Sequence, residues 1–276
     1  MKITDAQVHI WAADRPERPW PKGGRAHPHR DVPFSHQDLL REMNAAGVSR
    51  VIIVPPSWEG ERNDLALEAC RLHPDRFATM GRIDLDPANE PMLATWRDQP
   101  GMLGLRFTYR SGQGWMEDGS ADWMWRAAER IGLPVMISCP GQLHVLEKVA
   151  ARFPGVKLIV DHLALIRGQK DAAAFVDLPA LLALARHPNV AAKASALPRF
   201  SSEAYPYRNL HLYLRQVFEA FGPRRTFWGT DLTGLPCSYR QAVTMFTEEL
   251  KWLSQADQAW VMGRGISEFA GWDGGQ

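Results

Sequence analysis

Short apolar runs rich in β-branched residues alternate along this chain with longer stretches of helical periodicity. Strands are predicted at 3–10, 50–54, 77–84, 101–107, 134–138, 156–162, 190–194 and 226–231. Helices are predicted at 36–46, 61–73, 89–98, 122–131, 142–152, 177–186, 208–221 and 238–252. Ser35 is placed to cap the first of these, and Gly47 and Gly132 to stop two of them. Parallel strands joined through helices need right-handed crossovers, and no break in composition divides the chain. The pattern therefore predicts one α/β domain over residues 1–276, a (β/α)8 TIM barrel, with a doubly wound open sheet as the alternative.

Polar residues fall where such a barrel builds its site. His9, Arg106, Ser138, His162 and Asp231 sit at the carboxyl ends of the first, fourth, fifth, sixth and eighth predicted strands, the end at which barrel active sites form. Period-two alternation puts Asp5, Gln7 and His9 on one face of the first strand. The same counting aims Val160 and His162 inward and turns Asp161 toward the helix layer. Two connections are longer than usual and directly follow strands: 12–34, with Pro16, Pro19, Pro21, Pro28, Pro33 and Trp20, and 196–207, with Pro198, Arg199, Tyr205 and Pro206. Both would lie on the catalytic face as ordered surface loops or as lids. Trp58, after Pro55-Pro56-Ser57 at the end of the second strand, is the best candidate for an apolar wall against a ring-shaped substrate.

Composition excludes several classes. With 32 basic and 31 acidic residues, the net charge of +1 leaves no electrostatic footprint for nucleic acid or an anionic membrane, so a small molecule is the expected partner. The three cysteines are scattered without CxxC spacing, which points to neither a disulfide framework nor a thiolate zinc site. The chain shows no signal-peptide pattern and no apolar run of about 18 residues, and a cytoplasmic location is expected. There is no Gly-x-Ser-x-Gly elbow and no Walker loop, and Gly112-Gln113-Gly114 leads into Trp115 rather than a helix start. Cys139, beside Pro140 and near His144, reads as a buried small residue before it reads as a nucleophile.

The Asp-x-Gln-x-His opening at Asp5, the Leu158-Ile159-Val160-Asp161-His162-Leu163-Ala164 segment and Trp228-Gly229-Thr230-Asp231 resemble the amidohydrolase superfamily. The closest likeness is to its amidohydrolase-2 branch of lactonases and nonoxidative decarboxylases. Gly104-Leu105-Arg106-Phe107 and Lys193-Ala194-Ser195 resemble a Gly-x-Arg and a Lys-x-Ser strand of that branch. The resemblance implies a divalent metal held by a His-x-His pair on the first strand, a His on the fifth and an Asp on the eighth. Here Gln7 stands for the first His, and Ser138, or Cys139 in a register shifted by one, for the strand-five His. Zinc prefers imidazole, thiolate and carboxylate, so His9 and Asp231 would hold zinc or manganese loosely unless His162 joined them. Some lactonases of the branch are understood to work without metal, so a lost ligand set need not remove catalysis.

What remains supplies a hydrolytic set. Asp231 is expected to take a proton from water, with His9 and His162 donating to the developing oxyanion. Arg106 would fix a substrate carboxylate, with Gln7, Ser138, Trp58 and Arg199 lining the pocket. The expectation is hydrolysis of a small carboxylated lactone or related cyclic ester, without an organic cofactor. Two alternatives stand beside it: metal-dependent nonoxidative decarboxylation of an aromatic or unsaturated acid, and a noncatalytic ligand-binding barrel.

Overall fold

The computed structural model describes residues 1–22 and 27–272. Eight parallel strands follow one another in sequence order around one sheet: β1 (Thr4–Val8), β2 (Arg50–Ile53), β3 (Phe77–Gly81), β4 (Met102–Thr108), β5 (Val135–Ser138), β6 (Leu158–Val160), β7 (Val190–Ala194) and β8 (Thr226–Trp228). The first and last strands meet. The Asp231 N–H donates to the Gln7 carbonyl at 2.9 Å, and the Thr230 N–H donates to Asp5 Oδ1 at 2.9 Å. This is the predicted (β/α)8 barrel rather than an open sheet.

The helices are α1 (His36–Ala46), α2 (Asp64–Leu72), α3 (Glu90–Leu93), α4 (Asp122–Ile131), α5 (Leu143–Arg152), α6 (Leu178–Ala183), α7 (Arg208–Phe221), α8 (Tyr239–Thr244), α9 (Gln255–Ala259) and α10 (Gly265–Ala270). Ser35 caps α1 in a reciprocal capping box with Asp38, and Gly47 ends it with φ 78°. Gly132 ends α4 with φ 65°. The predicted helices at 89–98 and 177–186 are instead single α turns that tighten into 3-10 turns at Trp96–Asp98 and Leu184–Arg186.

Strand alternation sorts the apolar side chains into two layers. Ile52, Met80, Met136, Ile159 and Phe227 fill the barrel interior, while Val51, Ile53, Ile137, Leu158 and Val160 pack outward with helix residues such as Leu39, Val149 and Leu214. Sequence periodicity missed the closure of the barrel floor. Ile266, Ala270 and Trp272, on and just after α10, join the interior cluster. Gly263 lets this segment lie against the start of β1, where an added Cβ would stand 2.6 Å from the Lys2 carbonyl. No helix among the described residues is long and apolar enough to cross a membrane.

Simple alternation fails in β1. Asp5 pairs with Val51 and Val8 with Ile53, so three steps on β1 span two on β2, the signature of a bulge. Asp5 accordingly leaves the face of Gln7 and His9 and binds Thr230 and the Tyr239 hydroxyl of α8, the latter at 2.8 Å. Asp5 is structural; Gln7 and His9 reach the site.

Candidate active site

The strands end just before the residues that matter. β6 stops at Val160 and β8 at Trp228, and beyond them His162 and Asp231 both take the left-handed backbone conformation, with φ 52° at each. For non-glycine residues this conformation costs about 1–2 kcal/mol and persists only where surrounding contacts impose it. It also breaks the alternation used to place Asp161. Val160 faces the helices, so Asp161 follows on the inward parity, and the left-handed turn brings His162 in after it. Asp161 therefore lies in the barrel and not in the helix layer.

At the centre is Lys193 of β7, fully buried. Its Nζ donates to Gln7 Oε1 at 2.5 Å, ion-pairs with Asp161 Oδ1 at 2.6 Å and touches Met136 Sδ at 3.2 Å. The other Asp161 oxygen accepts from Arg106 Nε at 3.1 Å. Burial alone would raise the Asp161 carboxyl, but Lys193 and Arg106 outweigh it and hold the pKa below its ordinary value. Arg106 thus spends its Nε on Asp161 and its Nη1 on Thr108 Oγ1 at 2.8 Å, leaving Nη2 for the cavity.

This network sets the histidine protons. Gln7 gives its oxygen to Lys193, so its Nε2 hydrogens face His162 Nε2 at 3.2 Å and His9 Nε2 at 3.5 Å. His162 Nε2 must then accept, and its Nδ1–H donates to Ser195 Oγ at 2.8 Å. His9 Nδ1–H donates to the Val54 carbonyl at 2.6 Å, which leaves a lone pair on its Nε2 as well. Burial pushes His9 down to about 3 and His162 down to about 4, so both are neutral near pH 7. The expectation that these imidazoles donate to an oxyanion is corrected on this point: in their neutral form they present lone pairs at Nε2.

Asp231 lies opposite. Its Oδ2 accepts from Arg199 Nη1 at 3.0 Å, whereas its buried Oδ1 stands 3.2 Å from His9 Nε2 and has no hydrogen bond among the described residues. Burial would raise this carboxyl; His9, His162, His29 and Arg199 override it and keep it below the usual carboxylate range. His29, from the 12–34 connection, stands 3.9 Å from Asp231 Oδ1 and is anchored to Thr233 Oγ1 at 3.0 Å.

These groups face two joined chambers. The inner, of about 220 Å³, is lined by Asp161, His162 and Asp231 with Ser138 and Arg199. The outer, of about 340 Å³, is lined by His9, His27, His29, Trp58, Arg106 and Arg110, and shares Ser138, Arg167 and Arg199 with the inner. Trp58 lines the outer chamber, edge-on to His9 with ring centres 5.6 Å apart. Ser138 rather than Cys139 faces the site; Cys139 packs outward, and burial pushes its thiol far above the ordinary value. Lys193, Ser195, His29 and Arg167 were not anticipated as site residues. A lysine within the otherwise apolar run Val190-Ala191-Ala192-Lys193-Ala194 was the available signal for the first.

A barrel with this strand-end constellation finds its counterpart in sequence: the pattern of the amidohydrolase family matches residues 4–264. The chain belongs to the amidohydrolase family. It is 27% identical to an L-fucono-1,5-lactonase of Burkholderia ambifaria over 238 residues, 82% of this chain and 79% of that one. It is 24% identical to a 4-sulfomuconolactone hydrolase of Hydrogenophaga intermedia over 206 residues, 73% of this chain and 65% of that one. Among solved structures, an amidohydrolase of Burkholderia multivorans with bound zinc superposes with a TM-score of 0.79 at 21% identity, covering 98% of this chain and 99% of that one.

That structure holds zinc, and the donor set here can be compared with that use. Among the described residues no three His, Cys, Asp or Glu side chains form a metal-holding group. His9 and Asp231 are adjacent, but His162 Nε2 is taken by the Gln7 amide, so the expected trio of His9, His162 and Asp231 does not assemble as ligands. Amide hydrogens repel a cation, and the charge of Lys193 lies directly behind them.

Proposed function

We propose that this amidohydrolase hydrolyses a small lactone that carries a carboxylate, using Asp231 and His9 as the proton-accepting pair and no tightly bound divalent metal. The observation that carries the reading is Asp231 Oδ1: a buried carboxylate oxygen without a hydrogen bond among the described residues, 3.2 Å from an imidazole lone pair, on a side chain that lines the inner chamber. Both curated relatives are named as lactone hydrolases, which supports the same reaction class.

Water in the inner chamber donates to Asp231 Oδ1 and attacks the lactone carbonyl carbon. Two lone pairs facing each other at 3.2 Å gain from a proton between them, so the proton taken from water is shared by Asp231 and His9. It is returned to the ring oxygen as the acyl C–O bond breaks. Arg199 and Ser138 border both chambers, where they meet the carbonyl oxygen as it gains charge, and Arg167, which also borders both, is turned to the substrate carboxylate. Arg110 and the free Nη2 of Arg106 take the carboxylate in the outer chamber, and Trp58 packs on the ring. The amide hydrogens of Gln7 stand beside both imidazoles, so proton transfer in this scheme falls to Asp231 and His9 alone.

The test is a panel of sugar, muconate-type and pyrone lactones, with and without carboxylates, assayed before and after chelation. Turnover of carboxylated lactones that survives chelation supports the reading. Carbon dioxide release from an aromatic acid, with no lactone opened, would replace it with decarboxylation.

A further inference from the structure

Lys193, with its counter-ion Asp161, is a charged group of the barrel interior that the proposed reaction does not use. It is fully buried; its ammonium donates to Gln7 Oε1 at 2.5 Å and Met136 Sδ at 3.2 Å and ion-pairs with Asp161 Oδ1 at 2.6 Å. An ammonium donates only, so it tolerates the oxygen end of the Gln7 amide and rejects the nitrogen end. The flipped amide would oppose N–H to N–H at Lys193 and leave two acceptors facing at His162. One residue thereby dictates which face Gln7 shows to the site, and Gln7 in turn dictates the tautomer of His162, whose Nδ1–H goes to Ser195 Oγ.

We propose that Lys193 is a positioning residue that acts through Gln7: it locks an amide N–H group onto Nε2 of His162, fixes that imidazole as the Nδ1–H tautomer and closes its lone pair to a divalent cation, while the second N–H lies 3.5 Å from Nε2 of His9, whose tautomer the Val54 carbonyl sets. The ammonium supplies the site's fixed interior positive charge and lies behind Gln7. Lys193 touches neither substrate nor reacting atoms. Its effect on rate rests on the hydrolase reading, but its effects on tautomer and on metal exclusion do not, and these are what the experiment reads.

Two variants separate the possibilities. Lys193→Met removes the ammonium at similar length and frees the amide to turn its oxygen toward the imidazoles. Gln7→Glu keeps an oxygen for Lys193 and places a second oxygen where the N–H groups stood, with nearly unchanged shape. Histidine tautomers are read from long-range proton–nitrogen NMR correlations on the full chain, and zinc is titrated into chelator-stripped protein by calorimetry. In the unsubstituted protein His162 and His9 are expected as Nδ1–H tautomers, with zinc binding weaker than about 10 μM. Gln7→Glu is expected to bind zinc at least about a hundredfold more tightly, and Lys193→Met at least about tenfold, with loss of the single His162 tautomer. If Lys193→Met does not fold, Gln7→Glu alone decides. Tight zinc binding by the unsubstituted protein, an Nε2–H tautomer at His162, or zinc affinity unmoved by Gln7→Glu would each overturn the proposal. A failure to open any lactone would leave these readouts standing and overturn only the proposed reaction.

Discussion

His9 Nε2 stands 3.2 Å from Asp231 Oδ1, while the opposite nitrogen of the same ring is bound to the Val54 carbonyl at 2.6 Å. The backbone contact holds the ring proton on the far side, so the two atoms that face each other are both acceptors. Removing one of them should remove the reaction. Asp231→Asn keeps the shape and a contact to Arg199 but replaces the proton acceptor. Its kcat/KM is expected to fall by about a hundredfold to ten-thousandfold, with the thermal transition retained. Steady-state kinetics beside a melting curve checks both; an unchanged rate would show that Asp231 is not the base.

Four arginines, Arg106, Arg110, Arg167 and Arg199, line the outer chamber; Arg106 and Arg199 are paired with Asp161 and Asp231, and no carboxylate lines it among the described residues. Arg167 makes no hydrogen bond or ion pair among the described residues, so replacing it leaves no carboxylate unpaired. A hydrogen bond to a charged group is worth about 1.5–3 kcal/mol. Arg167→Met is therefore expected to raise KM or lower kcat/KM for a carboxylated lactone by about tenfold to a hundredfold, and by much less for a neutral lactone of the same ring. Equal losses on both substrates would argue against carboxylate recognition there.

Stability should fall as the solution is acidified below pH 6.5. His9 and His162 have folded values of about 3 and about 4 against an ordinary 6.5, so between pH 6.5 and about 4 the unfolded chain binds protons at both positions and the folded chain does not. Asp5 acts the other way. Burial, opposed by its bonds to Thr230 and Tyr239, raises it from 3.8 to about 6, so it takes up its proton in the folded state over most of the same window. Two protons against one leave a net loss on the order of 1 kcal/mol per pH unit between pH 6 and 4 from these three groups. Urea unfolding at a series of pH values measures the slope. Asp5→Asn is expected to steepen it toward twice that figure, and a flat profile in this variant would contradict the neutral assignment of the histidines.

The floor of the barrel offers a structural prediction. Ile266 is fully buried in the interior cluster with Ala270 and Trp272. Ile266→Ala is expected to destabilise by about 2–5 kcal/mol, as truncation in a packed core does, with kcat and KM unchanged at the opposite end. Denaturant unfolding read beside kinetics separates a floor from a site: a large kinetic change at unchanged stability would contradict the assignment.

How much of this was legible depended on the kind of signal. Helices 36–46, 122–131 and 208–221 were read to the residue, with Ser35, Gly47 and Gly132 marking ends of the first two and Gly222 following the third. Asp5 and Asp161 were misplaced because counting by two assumes an unbroken strand, and a bulge in β1 and the turn after β6 break it. Lys193 carries the likeness to a Lys-x-Ser strand, but sequence alone gives it no place in the site, since its role is defined by a partner 186 positions away. The glycines at 263 and 265 and the short helical pieces around them hid the segment that closes the floor. Strand-end chemistry was visible because barrels gather strand ends; proton positions were not, because they follow from contacts between strands distant in sequence.

The central claim is hydrolysis of a carboxylated lactone by the Asp231–His9 pair without a bound divalent metal. Its most direct test is kcat/KM on the best lactone of the panel, measured with chelator-stripped protein whose metal content is determined in the same sample, beside Asp231→Asn. The account predicts undiminished turnover at less than about a tenth of an equivalent of metal and near-complete loss in the variant. Activity that vanishes on stripping and returns in proportion to added zinc or manganese would contradict it.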